Sequence, residues 1–171
     1  MPPVTAADRR LLRHFLASIA YRMQKALTGA PASFADYRAA PGSRTPHQLL
    51  RHMSDVLGYA RTTFSDGQWR AHSLPTFQEE IARVHEQLEL LSQAVASDDF
   101  RRFTPDQLLQ GPLADVMTHV GQLAMLRRLC GSPIPPENFI VADIRPGNVG
   151  VRQEPPISPD GTWYEAEEEP W

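Results

Sequence analysis

The sequence predicts an all-α protein, a four-helix bundle followed by an extended proline-rich C-terminal tail. Three observations lead there. Four stretches repeat apolar residues at intervals of three and four, the period of a helix with one buried face. Two of them open on a threonine with Gln or Glu three residues later, the reciprocal pairing of a capping box, and the fourth stretch echoes the pattern. Beyond residue 131, prolines at 133, 135, 136, 146, 155, 156, 159 and 170 forbid another long helix.

The first stretch spans about 5–28, with Leu12, Phe15, Leu16, Ile19, Met23 and Leu27 on its stripe. Gly29 and Pro31 stop it. His14 falls off the stripe and reads as a boundary residue. A loop over 29–44 carries Phe34 and Tyr37, aromatic anchors that pin it to the bundle. Thr45-Pro46-His47-Gln48 then opens the second stretch, with threonine as cap, proline at the first helical position and glutamine at the third. His52 lies in line with Leu49 and Val56, at the edge of the buried face.

The linker 66–75 can span roughly 33–36 Å when extended, and a twenty-residue helix is about 30 Å long. It can turn back or cross the whole bundle, so both topologies stay open. The third stretch starts at Thr76, with Glu79 completing its box, and carries Ile81, Val84, Leu88, Leu91 and Val95. His85 flanks that stripe as a packing or solvent contact. The link 97–103 is short, which predicts that the third and fourth stretches are antiparallel neighbours. The fourth begins Thr104-Pro105-Asp106-Gln107, is broken or kinked at Gly111-Pro112, and runs through Val116, Val120 and Leu123 to about Leu129. The expected division is residues 1–130 for the bundle and 131–171 for an irregular tail packing on it within one domain. Phe139, Ile140, Val141, Ile144 and Val149 supply the tail's apolar groups, and 163–171 is acidic and aromatic.

The totals exclude several classes. With 171 residues, a hydrophobic content of 42% and a net charge of −3, the chain has core for one domain and no polycationic surface for nucleic acid. Its arginine pairs, including Arg127-Arg128, read as solvated helix ends. One cysteine rules out an intrachain disulfide or a thiolate cluster. Cys130 reads as a structural thiol. No apolar run reaches membrane-span length, and the N-terminus lacks the regions of a secretory signal. The expectation is a soluble cytoplasmic protein that meets neither nucleic acid nor membrane. Nothing around Pro146-Gly147-Asn148-Val149-Gly150 makes a phosphate loop.

The stretch that carries chemistry is 114–122. Asp115 and His119 stand four apart, on one helix face at chelating distance. Imidazole nitrogen and carboxylate oxygen together suit a divalent transition metal, and His52 is the best candidate for a third ligand from another helix. An Asp115–His119 hydrogen bond on a partly exposed face is the alternative reading of the same spacing. Gln122 shares the face of His119 and can serve as a donor or acceptor behind it. His47 precedes His52 slightly off its face and is a weaker supporting candidate. Gly121 costs a helix interior about 1 kcal/mol relative to alanine, which predicts close packing of a neighbouring helix or a dimer partner.

The Thr-Pro start before His52, with Asp115-Val116-Met117-Thr118-His119-Val120-Gly121-Gln122, resembles the DinB-like family of small bacterial four-helix-bundle metalloproteins. The likeness covers roughly residues 5–130, and Ile134-Pro135-Pro136-Glu137-Asn138-Phe139 resembles extensions in some relatives. The family motif is His-x-x-x-His-x-Gly-Gln, so Asp115 here replaces a histidine and Val120 a common arginine. The resemblance implies an up-down-down-up bundle, a homodimer, and zinc, nickel, iron or manganese held by His52, Asp115 and His119. The carboxylate makes the site harder and favours iron or manganese. It also implies a transferase that uses a low-molecular-weight thiol on a small-molecule substrate, or a hydrolase that uses a metal-bound water at the same open position. The alternative is a non-catalytic, metal-stabilised bundle that binds a small molecule or a protein partner.

Overall fold

The computed structural model describes residues 3–158, and the aromatic, acidic end at 163–171 lies outside them. Four helices and no strand form among the described residues: α1 (Ala6–Leu27), α2 (Pro46–Arg61), α3 (Phe77–Ser97) and α4. Helix α4 is composite, an α turn Pro105–Leu108, a π turn Leu109–Leu113 and the α-helix Ala114–Leu129. Thr5, Thr45, Thr76 and Thr104 each cap one helix, and all four caps are complete capping boxes. Such a cap contributes about 1 kcal/mol, so the start of every helix is written locally. Pro112 sits inside the π turn, where a proline's missing N–H is accommodated by widening the helix instead of ending it.

Contacts between helix ends give the directions. Arg9 near the start of α1 donates to the carbonyls of Val95 and Asp98 at the end of α3, so α1 and α3 are antiparallel. His47 at the start of α2 meets Leu74 and Glu80 at the start of α3, so those two run parallel. Arg127 near the end of α4 donates to the carbonyls of Ala26 and Thr28, placing the ends of α1 and α4 together. The order is therefore up, down, down, up. Helices α1 and α2 each pack against α3 and α4. Consequently α3 and α4 are antiparallel but stand diagonally across the bundle, not as the neighbours the short link predicts. Burial explains this: Phe100 of the link packs on Phe64 at the end of α2, with ring centroids 4.7 Å apart, and carries the chain past α2.

Because α2 and α3 are parallel, the linker between them crosses the bundle. Trp69 of that crossing lies so close to Gly58 of α2 that any Cβ there would overlap the indole ring. The Ala71 N–H donates to the Asp55 carboxylate, and the Leu74 N–H donates to Glu80 at 2.9 Å. The core draws on all four helices, with Leu16, Met53, Leu88 and Leu123 each fully buried. Phe34 is also fully buried and the Tyr37 hydroxyl donates to the Leu129 carbonyl at 3.1 Å, so both loop aromatics anchor as predicted.

Residues beyond α4 touch α1 and α3. Glu137 accepts from the Tyr21 hydroxyl and from Lys25, both at 2.6 Å, and the Val149 carbonyl accepts from His85 at 2.7 Å. Val149 is buried, whereas Ile140 is 93% exposed and contributes nothing to packing. Arg127 is buried too, and is not the solvated helix end its Arg-Arg context suggests. Its guanidinium is satisfied by backbone carbonyls and the Ser132 hydroxyl. No helix among the described residues is long and apolar enough to cross a membrane.

Candidate metal centre

His52 on α2 and the Asp115/His119 pair on α4 meet across the α2–α4 seam. Each residue offers one ligand atom, and the three atoms lie within 4.8 Å of one another. His119 Nε2 is 3.4 Å from Asp115 Oδ1, and His52 Nε2 is 4.0 Å from Asp115 Oδ2. The two imidazoles stand edge to face with centroids 4.8 Å apart. Ligands about 2.0–2.2 Å from a tetrahedral ion are separated by roughly 3.3 Å, so the Asp115–His119 pair already has the spacing and His52 needs a small inward rotation.

Local structure puts these side chains there. Asp115 and His119 are one turn apart, and the π turn just before them sets the rotation of that turn relative to the start of α4. Leu113, Val116 and Val120 hold the inner face of the helix in the core, which leaves His119 at the boundary and Asp115 outside. The side chain of His119 is 7% exposed, that of His52 31% and that of Asp115 47%.

The proton positions sharpen the picture. His119 Nδ1 is 3.0 Å from Gln122 Oε1, so Nδ1 carries the proton and donates to that amide oxygen. In a neutral ring Nε2 is then the lone-pair nitrogen, buried and without a hydrogen-bond partner. It faces a carboxylate oxygen, acceptor against acceptor. The gap calls for positive charge, either a proton on Nε2 or a metal ion. Burial first, then the charges of Arg44 and His119, hold His52 below its ordinary range, while Asp115 and Asp55 pull it up. A neutral imidazole is the form that ligates metal. The residues present therefore fit a divalent cation: two imidazoles, one carboxylate, an outer hydrogen bond on one ring, and a solvent-facing side left free for another ligand.

Gln122 hydrogen-bonds His119, whose helix face it shares. His47 does not: its Nε2 contacts the Leu74 carbonyl at 3.1 Å and Glu80 at 3.6 Å, which ties down the crossing linker instead. Gly121 packs against no described helix of its own chain. A Cβ built there meets nothing within 4 Å, so no neighbouring helix explains the glycine. It lines an open cleft of about 720 Å³ with Arg44, Leu49, Thr118, Gln122 and Leu126. Arg44 escaped the sequence reading because a lone arginine before a helix cap has no spacing that marks it.

Compared with protein-family models, curated proteins and solved structures, the chain matches none.

Proposed function

We propose that the protein is a DinB-like metal-dependent transferase that uses a low-molecular-weight thiol. His52, Asp115 and His119 are the ligands of its divalent transition metal. The reading is carried by the buried, unpartnered Nε2 of His119 facing the Asp115 carboxylate. A bound cation would supply a lowered thiol pKa, so that the sulfur attacks as thiolate. The chain's own part is positional. Gln122 keeps the His119 proton on Nδ1, burial favours the neutral form of His52, and three protein ligands leave coordination room on the exposed side. The harder carboxylate in place of an imidazole favours iron or manganese over zinc.

A non-catalytic, metal-stabilised bundle would be favoured by a tail folded over the ligands. The described part of the tail instead binds Tyr21, Lys25 and His85, while Asp115 stays half exposed. That supports exchange of small molecules at the centre. Elemental analysis of purified wild type against His119→Ala tests the ligand set, and equal metal content in both removes it. With metal present, thiols are screened against electrophiles with and without chelator. Turnover that chelator does not affect rejects the transferase.

A further inference from the structure

We infer that the cleft beside the metal centre binds a small amphipathic carboxylate, its anionic end on Arg44 and its apolar body on Leu49, Leu126 and Leu129. The inference rests on the reading of His52, Asp115 and His119 as a reaction centre and names the class of substrate that centre serves. The cleft runs between the loop before α2 and the outer face of α4. Thr118 and Gln122 line it, and Gln122 hydrogen-bonds His119, so one residue joins the cleft wall to that ligand, while His52, Asp115 and His119 lie outside its lining.

Arg44 is the one ionisable residue in its lining, and it makes no ion pair or hydrogen bond among the described residues. A guanidinium's planar fork matches a carboxylate, and nothing in the cleft competes for it. The remaining surface is mostly apolar, with Met125 55% and Leu129 54% exposed at the rim. Its few polar groups would serve a sugar or a nucleotide poorly. Gly121 adds an independent argument: mid-helix, and with empty space where its Cβ would stand, it keeps the wall of the cleft open.

The probe is 4-phenylbutyrate, with its neutral amide as control, titrated calorimetrically into the full chain in chelator and again with Mn²⁺. The acid is expected to bind about ten-fold tighter than the amide, equivalent to about 1.4 kcal/mol. Arg44→Gln should erase that preference, and Gly121→Leu should weaken acid and amide together about ten-fold while the melting temperature is kept. Equal affinity for acid and amide in wild type, or an unchanged preference in Arg44→Gln, overturns the inference. So does a wild-type dimer that excludes the acid and that Met125→Ser/Leu129→Ser dissociates, because the cleft would then be filled by a second copy. The chelated titration separates the two claims: acid binding without metal uptake sinks the proposed centre alone, and metal uptake without acid binding sinks this inference alone.

Discussion

His119→Leu should change the stability of the protein in opposite directions with and without metal. In chelator, a neutral His119 ring leaves Nε2 a buried acceptor with no partner. Such a group costs about 1–3 kcal/mol, which leucine of similar size removes. Leucine also favours helix slightly over histidine. Gln122 loses the bond it accepts, but that residue is exposed and water replaces it. The chelated variant should therefore melt at or above wild type, by about 1 kcal/mol, or roughly 2–4 °C in a chain of this size. With metal at about a hundred times its dissociation constant, wild type gains about 2.7 kcal/mol, or roughly 5–11 °C. The variant should gain nothing, so the order of the two proteins reverses. Differential scanning calorimetry in chelator and in Mn²⁺ reads all four states. The reasoning fails if the chelated variant loses more than about 2 kcal/mol, the mark of a packing histidine, or if metal raises both proteins alike.

Three further outcomes follow from other parts of the bundle. Burial pushes His85 below its ordinary range, more strongly than the Val149 carbonyl and Glu89 pull it back. The unfolded chain then takes up the proton first, so this contribution is intact above about pH 6.5 and is lost as pH falls through the folded value. Urea midpoints at about pH 7.5 and about pH 5 should differ less in His85→Gln than in wild type. Gly58→Ala drives a methyl into Trp69 and should cost about 1–3 kcal/mol. Adding Trp69→Ala should return most of it, and an additive cycle would show that the indole is not the obstacle. Lys25→Met leaves the fully buried side chain of Glu137 with only the Tyr21 hydroxyl, for an expected loss of about 3–5 kcal/mol in urea unfolding. Lys25→Met/Glu137→Leu should recover most of that loss, since both charges then leave the interior together.

Local signals foretold local structure well, for a physical reason. A capping box is settled by side chains three residues apart, and the starts at Thr45 and Thr76 fall where the spacing puts them, as does the echoed start at Thr104. Helix adjacency is settled by which apolar faces meet, and loop length bounds that choice only loosely. The short 97–103 link therefore suggested neighbours, yet Phe100 on Phe64 carries the chain across α2 to the diagonal position. Arg127 was misread likewise, because its acceptors are carbonyls on α1 that no pattern within α4 reveals.

The metal candidates were legible for the same reason and incomplete for a related one. The four-residue step from Asp115 to His119 fixes a shared face wherever the helix lies, so that half of the centre needs no tertiary knowledge. Whether the face meets His52 depends on the rotation of α4 about its axis, and there the chain carries a mark that is easy to pass over. Leu108 and Leu113, both buried, are five apart, an interval a regular α-helix would place on different faces. The π turn around Pro112 absorbs the extra residue and returns Leu113 to the core side. Asp115 and His119 follow at fixed offsets, toward α2. A glycine is more ambiguous than that interval, since its helix cost is the same whether a neighbour's backbone or a ligand fills the missing space. At Gly121 the empty volume belongs to the cleft, beside Arg44, whose charge is answered by nothing in this chain among the described residues.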